Sequence, residues 1–269
     1  MAALLSAGCA ASLPAQATTP AAGVQPSGPI RADMNPYTVQ RLDTVLGQVS
    51  RHRGLSPGHL IKRISALFLD TPYQANMLQG SATTPEKLII DFTGLDCFTY
   101  LGYVEAARRA SSQQDFVDRL VLTRYVDGIV GFPYRKHFFS DWVARPYELA
   151  DDITASISPN AVSVDKALNL KADGSNLPGL PVVQRTITYI PVAAVDSNVV
   201  GQLRTGDYVG RYSPADGLDV SHVGIFSMTD AGPVLRNASS RPENNKVVDS
   251  PFMEYVARTA GIVVYRPKP

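Results

Sequence analysis

The sequence predicts an α+β protein, with helices in its first half and antiparallel strands in its second. Between residues 36 and 126, apolar residues recur every three or four positions, which is a helical spacing. From residue 207 onward, short β-type runs alternate with turns rich in Pro, Gly and Asp. The 269 residues are 45% hydrophobic and 18% charged and contain no internal repeat, so we expect one domain with a buried core. Helices that precede antiparallel strands favour the α+β class.

The individual elements follow from apolar stripes and from start and stop signals. Ser56-Pro57 is an N-cap followed by proline at the first helical position, and Thr71-Pro72-Tyr73 ends the same helix. Residues 143–200 are poorly periodic and are predicted to form a long excursion with short elements. The predicted helices cover 36–53, 57 to about 69, 96 onward, 113–126 and about 251–259. The predicted strands cover 86–92, 207–212, 222–228, 234–238 and 261–265.

The amino terminus is predicted to be a targeting segment followed by a tether. Residues 1–9 form an apolar run that ends in Ala-Gly-Cys and resembles a bacterial lipoprotein signal, which makes Cys9 the lipidated residue. An ordinary cleaved secretory signal is the alternative. Residues 10–35 are nearly uncharged and rich in Ala, Pro and Thr, so we expect a disordered tether. The single catalytic domain then covers residues 36–269, with a helical lead-in over 36–85 and a core over 86–269.

Composition excludes several classes of function. Lys and Arg number 25 and Asp and Glu 24, and the absence of a basic block argues against nucleic-acid binding. Two cysteines cannot build a disulfide framework, and four histidines leave little room for a metal cluster. We therefore expect no cofactor. The expected location is the periplasm, with membrane contact only through the lipid anchor of an outer-membrane lipoprotein.

Cys97 is the candidate nucleophile. It opens a helix that is apolar on nearly all sides, which predicts a buried central helix. The partial positive charge of a helix amino terminus favours the thiolate form, although a buried structural cysteine is the alternative. His222 begins an apolar strand and is the candidate base, and Asn237 follows on the next strand of a predicted hairpin. In that hairpin, Asn237 can hydrogen-bond the imidazole and orient it.

Five blocks of this sequence resemble the NlpC-like N-acetylmuramoyl-L-alanine amidases, a family first catalogued as a domain of unknown function. The resemblance implies a papain-like, NlpC-type fold, with helices packed on an antiparallel sheet and the nucleophile on a buried central helix. It implies Cys97 as nucleophile, His222 as base and Asn237 as orienting residue, a position that is more often histidine in the family. The implied substrate is a peptidoglycan fragment, cut between N-acetylmuramic acid and L-Ala. The blocks are residues 69–73, 95–100, 135–142, 217–224 and 235–240.

Four further residues are candidates for substrate binding, each with a structural alternative. Arg135 and His137 lie in a basic and aromatic cluster that suits the carboxylates of a stem peptide. A solvated turn anchored by Trp142 is the alternative. Tyr73 either lines the cleft or only ends a helix. Asp96 either binds a substrate amine or stabilises the helix amino terminus.

The sequence disfavours two other enzyme classes and leaves two other functions open. The sequence has no His-Glu-x-x-His motif, so a zinc amidase is disfavoured. Ser163 and Lys166 match the Ser-x-x-Lys element of penicillin-recognising enzymes, but the companion motifs are missing. Two functions remain open beside the amidase: an endopeptidase that cuts within the stem peptide with the same thiol, and a non-catalytic lipoprotein that binds muropeptides.

Overall fold

An antiparallel sheet organises the chain and gives it the predicted mixed α+β architecture. The structure, a computed structural model, describes residues 30–144 and 148–269. Its helices are α1 (Pro36–Arg51), α2 (Pro57–Ala66), α3 (Cys97–Arg109), α4 (Gln113–Arg124), α5 (Ser197–Gln202) and α6 (Phe252–Val256). Its strands are β1 (Asp33–Met34), β2 (Ile89–Ile90), β3 (Ala150–Asp152), β4 (Val162–Leu168), β5 (Leu170–Lys171), β6 (Gly174–Ser175), β7 (Val183–Pro191), β8 (Tyr208–Tyr212), β9 (Val220–Thr229), β10 (Gly232–Ala238), β11 (Val247–Pro251) and β12 (Gly261–Pro267).

The main sheet has the strand order β11-β10-β9-β8-β12-β7-β4, and β3 pairs with β12. Its strand pairs are antiparallel. Alternate residues of the strands face two separate hydrophobic clusters. The helices α1 to α4 cover one face, where they contact Tyr208, Val223, Ile225 and Val263. The short helices α5 and α6 cover the other face, where they contact Val209, Phe226, Leu235 and Ile262.

The central helix α3 is buried over nearly its whole length, as its apolar composition predicts. Every residue from Thr99 to Arg108 is buried. The helix packs between α2, α4 and the strand β9. Its amino-terminal end is therefore held firmly against the sheet.

The domain begins earlier than predicted. Asp33 and Met34 form β1, which pairs in parallel with β2, and Asn35 caps α1 by accepting a hydrogen bond from the Thr38 amide at 2.8 Å. The predicted tether over 10–35 is thus wrong at its carboxyl end, because these residues pair with the fold. The predicted signal segment, Cys9 and the rest of the tether up to residue 29 lie outside the described residues. None of the described helices is long and apolar enough to cross a membrane.

The segment 143–200 contains more sheet than its sequence predicts. The strands β4 and β7 are paired over seven residues each and extend the main sheet. Ser163 lies on β4, where its hydroxyl is 2.9 Å from that of Thr188, and the Lys166 ammonium binds three backbone carbonyls. The Ser-x-x-Lys match therefore falls on a strand with structural partners for both side chains.

Candidate active site

Cys97 is the first residue of α3, and Asp96 caps that helix. The Asp96 Oδ1 atom accepts hydrogen bonds from the Phe98 amide (3.0 Å), the Thr99 amide (2.7 Å) and the Thr99 hydroxyl (2.8 Å). Since the Thr99 hydroxyl in turn accepts from the Asp96 amide, the two residues form a capping box. Asp96 thus fixes the turn that presents the thiol.

The thiol lies against the strand that carries His222. α3 packs on β9, and the backbone N–H of Val223, the residue after His222, is close enough to the Cys97 sulfur to lower the pKa of the thiol, as are the N–H groups of Cys97 and Phe98. Cys97 is half-buried and is not part of a disulfide. The structure therefore brings together the nucleophile and the base that the sequence predicts, although they are 125 residues apart (222 − 97).

A hydrogen bond joins His222 to Asn237, the predicted orienting residue. The His222 Nε2 atom lies 3.0 Å from Asn237 Oδ1. The Asn237 Nδ2 group donates to the Leu235 carbonyl (3.0 Å) and to the Ser250 hydroxyl (3.2 Å), which leaves Oδ1 to face the imidazole. An amide oxygen can only accept, so Nε2 carries the proton and Nδ1 keeps its lone pair. This tautomer leaves Nδ1 available as a base.

Gly224 makes room for this hydrogen bond. The register of β9 and β10 pairs Ile225 with Arg236, and one further step along both strands brings residue 224 beside Asn237, two positions beyond His222 on the same face. A Cβ atom at residue 224 would lie 2.8 Å from Leu235 Cγ and 3.0 Å from both the Arg236 carbonyl oxygen and Asn237 Cβ. A β-bulge at the Arg211/Tyr212 step of β8 lies beside His222 and shifts the register there. The two features together set the position of the imidazole.

The substitution Gly224→Ala is expected to lower the free energy of unfolding by about 1–3 kcal/mol, the usual cost of overpacking. It should also lengthen the bond between His222 and Asn237, because the backbone of β10 must move. Chemical denaturation measures the first effect. Gly201→Ala is the control, because a Cβ there meets no atom within 4 Å. Equal stability of the two variants would contradict the prediction.

Burial keeps the pair neutral, contrary to the sequence-based expectation of a thiolate. Burial and, to a smaller extent, the adjacent Asp96 carboxylate raise the pKa of the Cys97 thiol to about 12. The three N–H groups at the sulfur lower this pKa but do not reverse the shift. Burial also lowers the pKa of His222 below 6.5, against the opposing effect of the Asn237 hydrogen bond. Desolvation therefore outweighs the helix dipole at this site.

Three residues that the sequence did not indicate surround the imidazole. Arg211 on β8 is the direct cross-strand neighbour of His222. The Tyr255 ring lies 6.2 Å from the His222 ring, and the Arg241 guanidinium lies 5.6 Å from the centroid of the Tyr255 ring. The charges of both arginines lower the pKa of His222. Only tertiary pairing brings these residues together, so no local motif could have identified them.

Of the four predicted substrate residues, two lie beside the thiol. The charges of Cys97 and Asp96 raise the pKa of Tyr73, although burial raises it more. Tyr73 is half-buried and lies beside Leu95 in an isolated parallel bridge. Asp96 has the capping role described above. A role of either residue in substrate binding stays a prediction.

Arg135 and His137 have partners within the protein. Arg135 forms an ion pair with Glu86 and donates to the Gln79 carbonyl at 3.1 Å. The His137 Nε2 atom lies 2.8 Å from the Phe132 carbonyl oxygen, and burial lowers the pKa of this imidazole. These contacts fit the structural alternative of an anchored turn, in which Trp142 is buried. Substrate contact at both residues stays a prediction.

An α+β fold that brings a thiol, an imidazole and an amide together is typical of hydrolases that act through a nucleophile. The chain belongs to the N-acetylmuramoyl-L-alanine amidase-like (AmiA-like) family, whose model matches residues 63–262. Membership supports hydrolase activity on a peptidoglycan-related substrate at the level of the family. A comparison with curated proteins finds no match.

Solved structures with the same fold include proteins with different names. An N-acetylmuramoyl-L-alanine amidase from Bacteroides uniformis is 26% identical, with a TM-score of 0.68 over 79% of this chain and 99% of its own. Protein LPG0564 from Legionella pneumophila has a TM-score of 0.71 at 23% identity over 86% of this chain and 95% of its own, and shows the fold alone. A candidate xylanase from Bacteroides fragilis is 28% identical, with a TM-score of 0.62 over 75% of this chain and 98% of its own.

Proposed function

We propose that this protein is a cysteine-dependent N-acetylmuramoyl-L-alanine amidase with a papain-like, NlpC-type catalytic site. It hydrolyses the amide between the lactyl group of N-acetylmuramic acid and L-Ala in peptidoglycan fragments. The observation that carries the proposal is the connected set Cys97, His222 and Asn237. In this set the Cys97 sulfur lies close to the backbone amide of Val223, the residue after His222, and His222 Nε2 is hydrogen-bonded to Asn237.

The charges around the thiol favour amide hydrolysis over glycoside hydrolysis. Glycosidases of the common type need two carboxylates that flank the bond. Among the described residues, Asp96 is the carboxylate whose charge acts on both Cys97 and His222, and its Oδ1 is committed to the helix cap. One capping carboxylate beside a thiol and an imidazole suits a nucleophilic cysteine mechanism.

Attack on the substrate requires proton transfer at the same moment, because the resting pair is neutral. His222 Nδ1 removes the thiol proton as the Cys97 sulfur attacks the lactyl carbonyl carbon. The developing oxyanion is stabilised by backbone N–H groups at the start of α3. Phe98 and Thr99 already donate to Asp96, so the Cys97 N–H is the donor that remains for substrate at this helix end. One such donor contributes about 3 kcal/mol in characterised enzymes.

Breakdown of the intermediate uses the same imidazole. The protonated His222 gives its proton to the L-Ala nitrogen, the C–N bond breaks, and a thioester to Cys97 remains. His222 then removes a proton from water, which attacks the thioester carbonyl and regenerates the thiol. The products are a muramic acid with a free lactyl carboxylate and a stem peptide with a free amino terminus.

The pH dependence of kcat/KM follows from the two shifted pKa values. We expect kcat/KM to rise as the pH passes through the pKa of His222, below 6.5, because the imidazole must be neutral to accept the thiol proton. It should then stay level to about pH 9, since the thiol has a pKa of about 12. A pH–rate profile tests this expectation. A decline between about pH 7 and 9 would indicate a thiolate–imidazolium pair instead.

Mass spectrometry of the products of defined muropeptides tests the function. The amidase should release the intact sugar and the whole stem peptide. A shortened peptide still attached to the sugar would indicate the endopeptidase, and unchanged substrates would indicate a non-catalytic binding protein. The fragments should carry anhydro and reducing sugar ends in separate reactions, so that neither form is missed.

The proposed location is outside the cytoplasm. Export and lipidation at Cys9 rest on residues 1–9 of the sequence. Labelling of expressing cells with a palmitate analogue, with Cys9→Ala as control, tests the anchor. Incorporation into the wild type alone is the expected result.

A further inference from the structure

Two arginines beside His222 form no ion pair within the part of the chain that the structure describes. Arg211 and Arg241 are both half-buried, and neither forms an ion pair with any residue between 30 and 144 or between 148 and 269. Other arginines with little exposure, such as Arg108 and Arg236, are paired with carboxylates at 2.6 and 2.7 Å. Arg211 and Arg241 are therefore two cations at the site whose guanidinium groups are free to bind an anion.

Both arginines flank the imidazole. Arg211 is directly opposite His222 across the β8–β9 pair. Arg241 stacks on Tyr255, whose ring in turn lies 6.2 Å from that of His222. Burial raises the pKa of Tyr255 and lowers that of His222; the charges of both arginines oppose the first shift and add to the second, so both act on the same small region. Arg241 shares its groove with Glu243, Asp249 and Glu254. Asp249 is paired with Arg236, and among the described residues neither of the other two carboxylates forms an ion pair with Arg241 or Arg211.

The chemistry of a muropeptide indicates what such a pair would bind. The sugar and the lactyl group next to the scissile amide are uncharged. The carboxyl group of L-Ala is part of a peptide bond. The free carboxylate nearest to the scissile amide is therefore the α-carboxylate of the second residue, D-Glu, whose γ-carboxyl continues the stem. Arginine binds carboxylates in a planar, two-point geometry.

We propose that Arg211 and Arg241 form a carboxylate clamp that binds the α-carboxylate of the second stem residue and holds the leaving peptide on the His222 side. The enzyme thereby prefers muropeptides with a free acid at this position over those in which it is an amide. The clamp rests on the proposed amidase function and adds its substrate specificity. It also places the L-Ala nitrogen on the side of His222, which must protonate it.

Two muramoyl tripeptides that differ only in this group, a free acid or an α-amide, provide the test. For the wild type, we expect kcat/KM to be roughly 10- to 100-fold higher on the acid, the range for charge-assisted hydrogen bonds. Arg211→Gln and Arg241→Gln should each reduce this ratio, and the double variant should bring it to about one. Arg258→Gln removes an exposed arginine from the groove that Arg241 also lines and should keep the wild-type ratio.

The ratio of kcat/KM on the acid to kcat/KM on the amide separates substrate recognition from a change in the pKa of His222. Loss of an arginine also changes the pKa of His222, but this change affects the acid and the amide equally. The clamp is overturned if the wild type hydrolyses the acid and the amide with equal kcat/KM. It is also overturned if the arginine variants slow both substrates equally. Either result leaves the amidase proposal intact.

Binding to the Cys97→Ala variant gives a readout without turnover. Calorimetry should detect tighter binding of the acid than of the amide, and the difference should disappear with Arg211→Gln and Arg241→Gln. If the wild type cuts neither compound while this difference is present, the amidase proposal fails and carboxylate recognition stands. Equal binding of acid and amide overturns the clamp.

Discussion

The variant Cys97→Ala is expected to lose muropeptide hydrolysis by at least about 10⁴-fold in kcat, because removal of a catalytic nucleophile usually costs more than this. The same variant should keep the free energy of unfolding within about 1 kcal/mol of the wild type, since the side chain is small and half-buried. Release of L-Ala-peptides, followed by mass spectrometry, measures the first quantity, and chemical denaturation measures the second.

Cys97→Ser is the matched control for this prediction. It keeps the size and the hydrogen bonds of the side chain but replaces the thiol with a much weaker acid, which a neutral His222 cannot deprotonate as readily. We expect it to be nearly as inactive as Cys97→Ala while it still binds substrate. Turnover by Cys97→Ala within about tenfold of the wild type would exclude a nucleophilic role and favour a water-based mechanism. Turnover of that size by Cys97→Ser alone would contradict the need for a thiol.

The elements that the sequence predicts well are those whose burial is one-sided or complete. The helices α1, α2 and α4 have apolar stripes, α3 is buried on nearly all sides, and side chains cap α1, α3 and α4. Ser56 precedes α2 as predicted but makes no side-chain cap hydrogen bond, and the hairpin of β9 and β10 has a buried, mostly apolar run. The strands β4 and β7 are largely exposed or half-buried and carry Asp, Lys, Arg and Gln. Their stability comes from pairing with each other over seven residues, and long-range pairing leaves little trace in hydrophobic periodicity.

The residues of the candidate site also fall into those that local sequence patterns predict and those that only the tertiary structure places there. Cys97, His222 and Asn237 can be selected from sequence, because a nucleophile at a helix start and a base on an apolar strand are local patterns. Arg211 and Arg241 cannot, because only strand register and ring stacking place them beside the imidazole. The charge state of Cys97 also could not be predicted from the sequence, because a helix dipole lowers the pKa of a thiol while burial raises it. Only the packed structure shows that burial prevails.

The helix that carries Cys97 is anchored to the sheet through Glu105, a fully buried carboxylate. Arg108 binds it through two nitrogens at 2.6 and 2.9 Å, and the Arg109 Nε atom lies 3.0 Å away. The Tyr208 hydroxyl donates to the same carboxylate and so joins α3 to β8. Glu105 therefore has two structural roles. It neutralises buried positive charge, and it connects α3 to the sheet beneath the site.

Replacement of this carboxylate is the largest stability change that we expect. Glu105→Gln should lower the free energy of unfolding by about 3–5 kcal/mol, because it leaves the buried guanidinium of Arg108 without a counter-charge. The control is Asp173→Asn, which removes an exposed carboxylate that pairs with Lys171 at 3.4 Å and should cost less than about 1 kcal/mol. Denaturant titration of both variants measures the difference. Similar losses in the two would mean that the Glu105 network contributes no more than a surface ion pair.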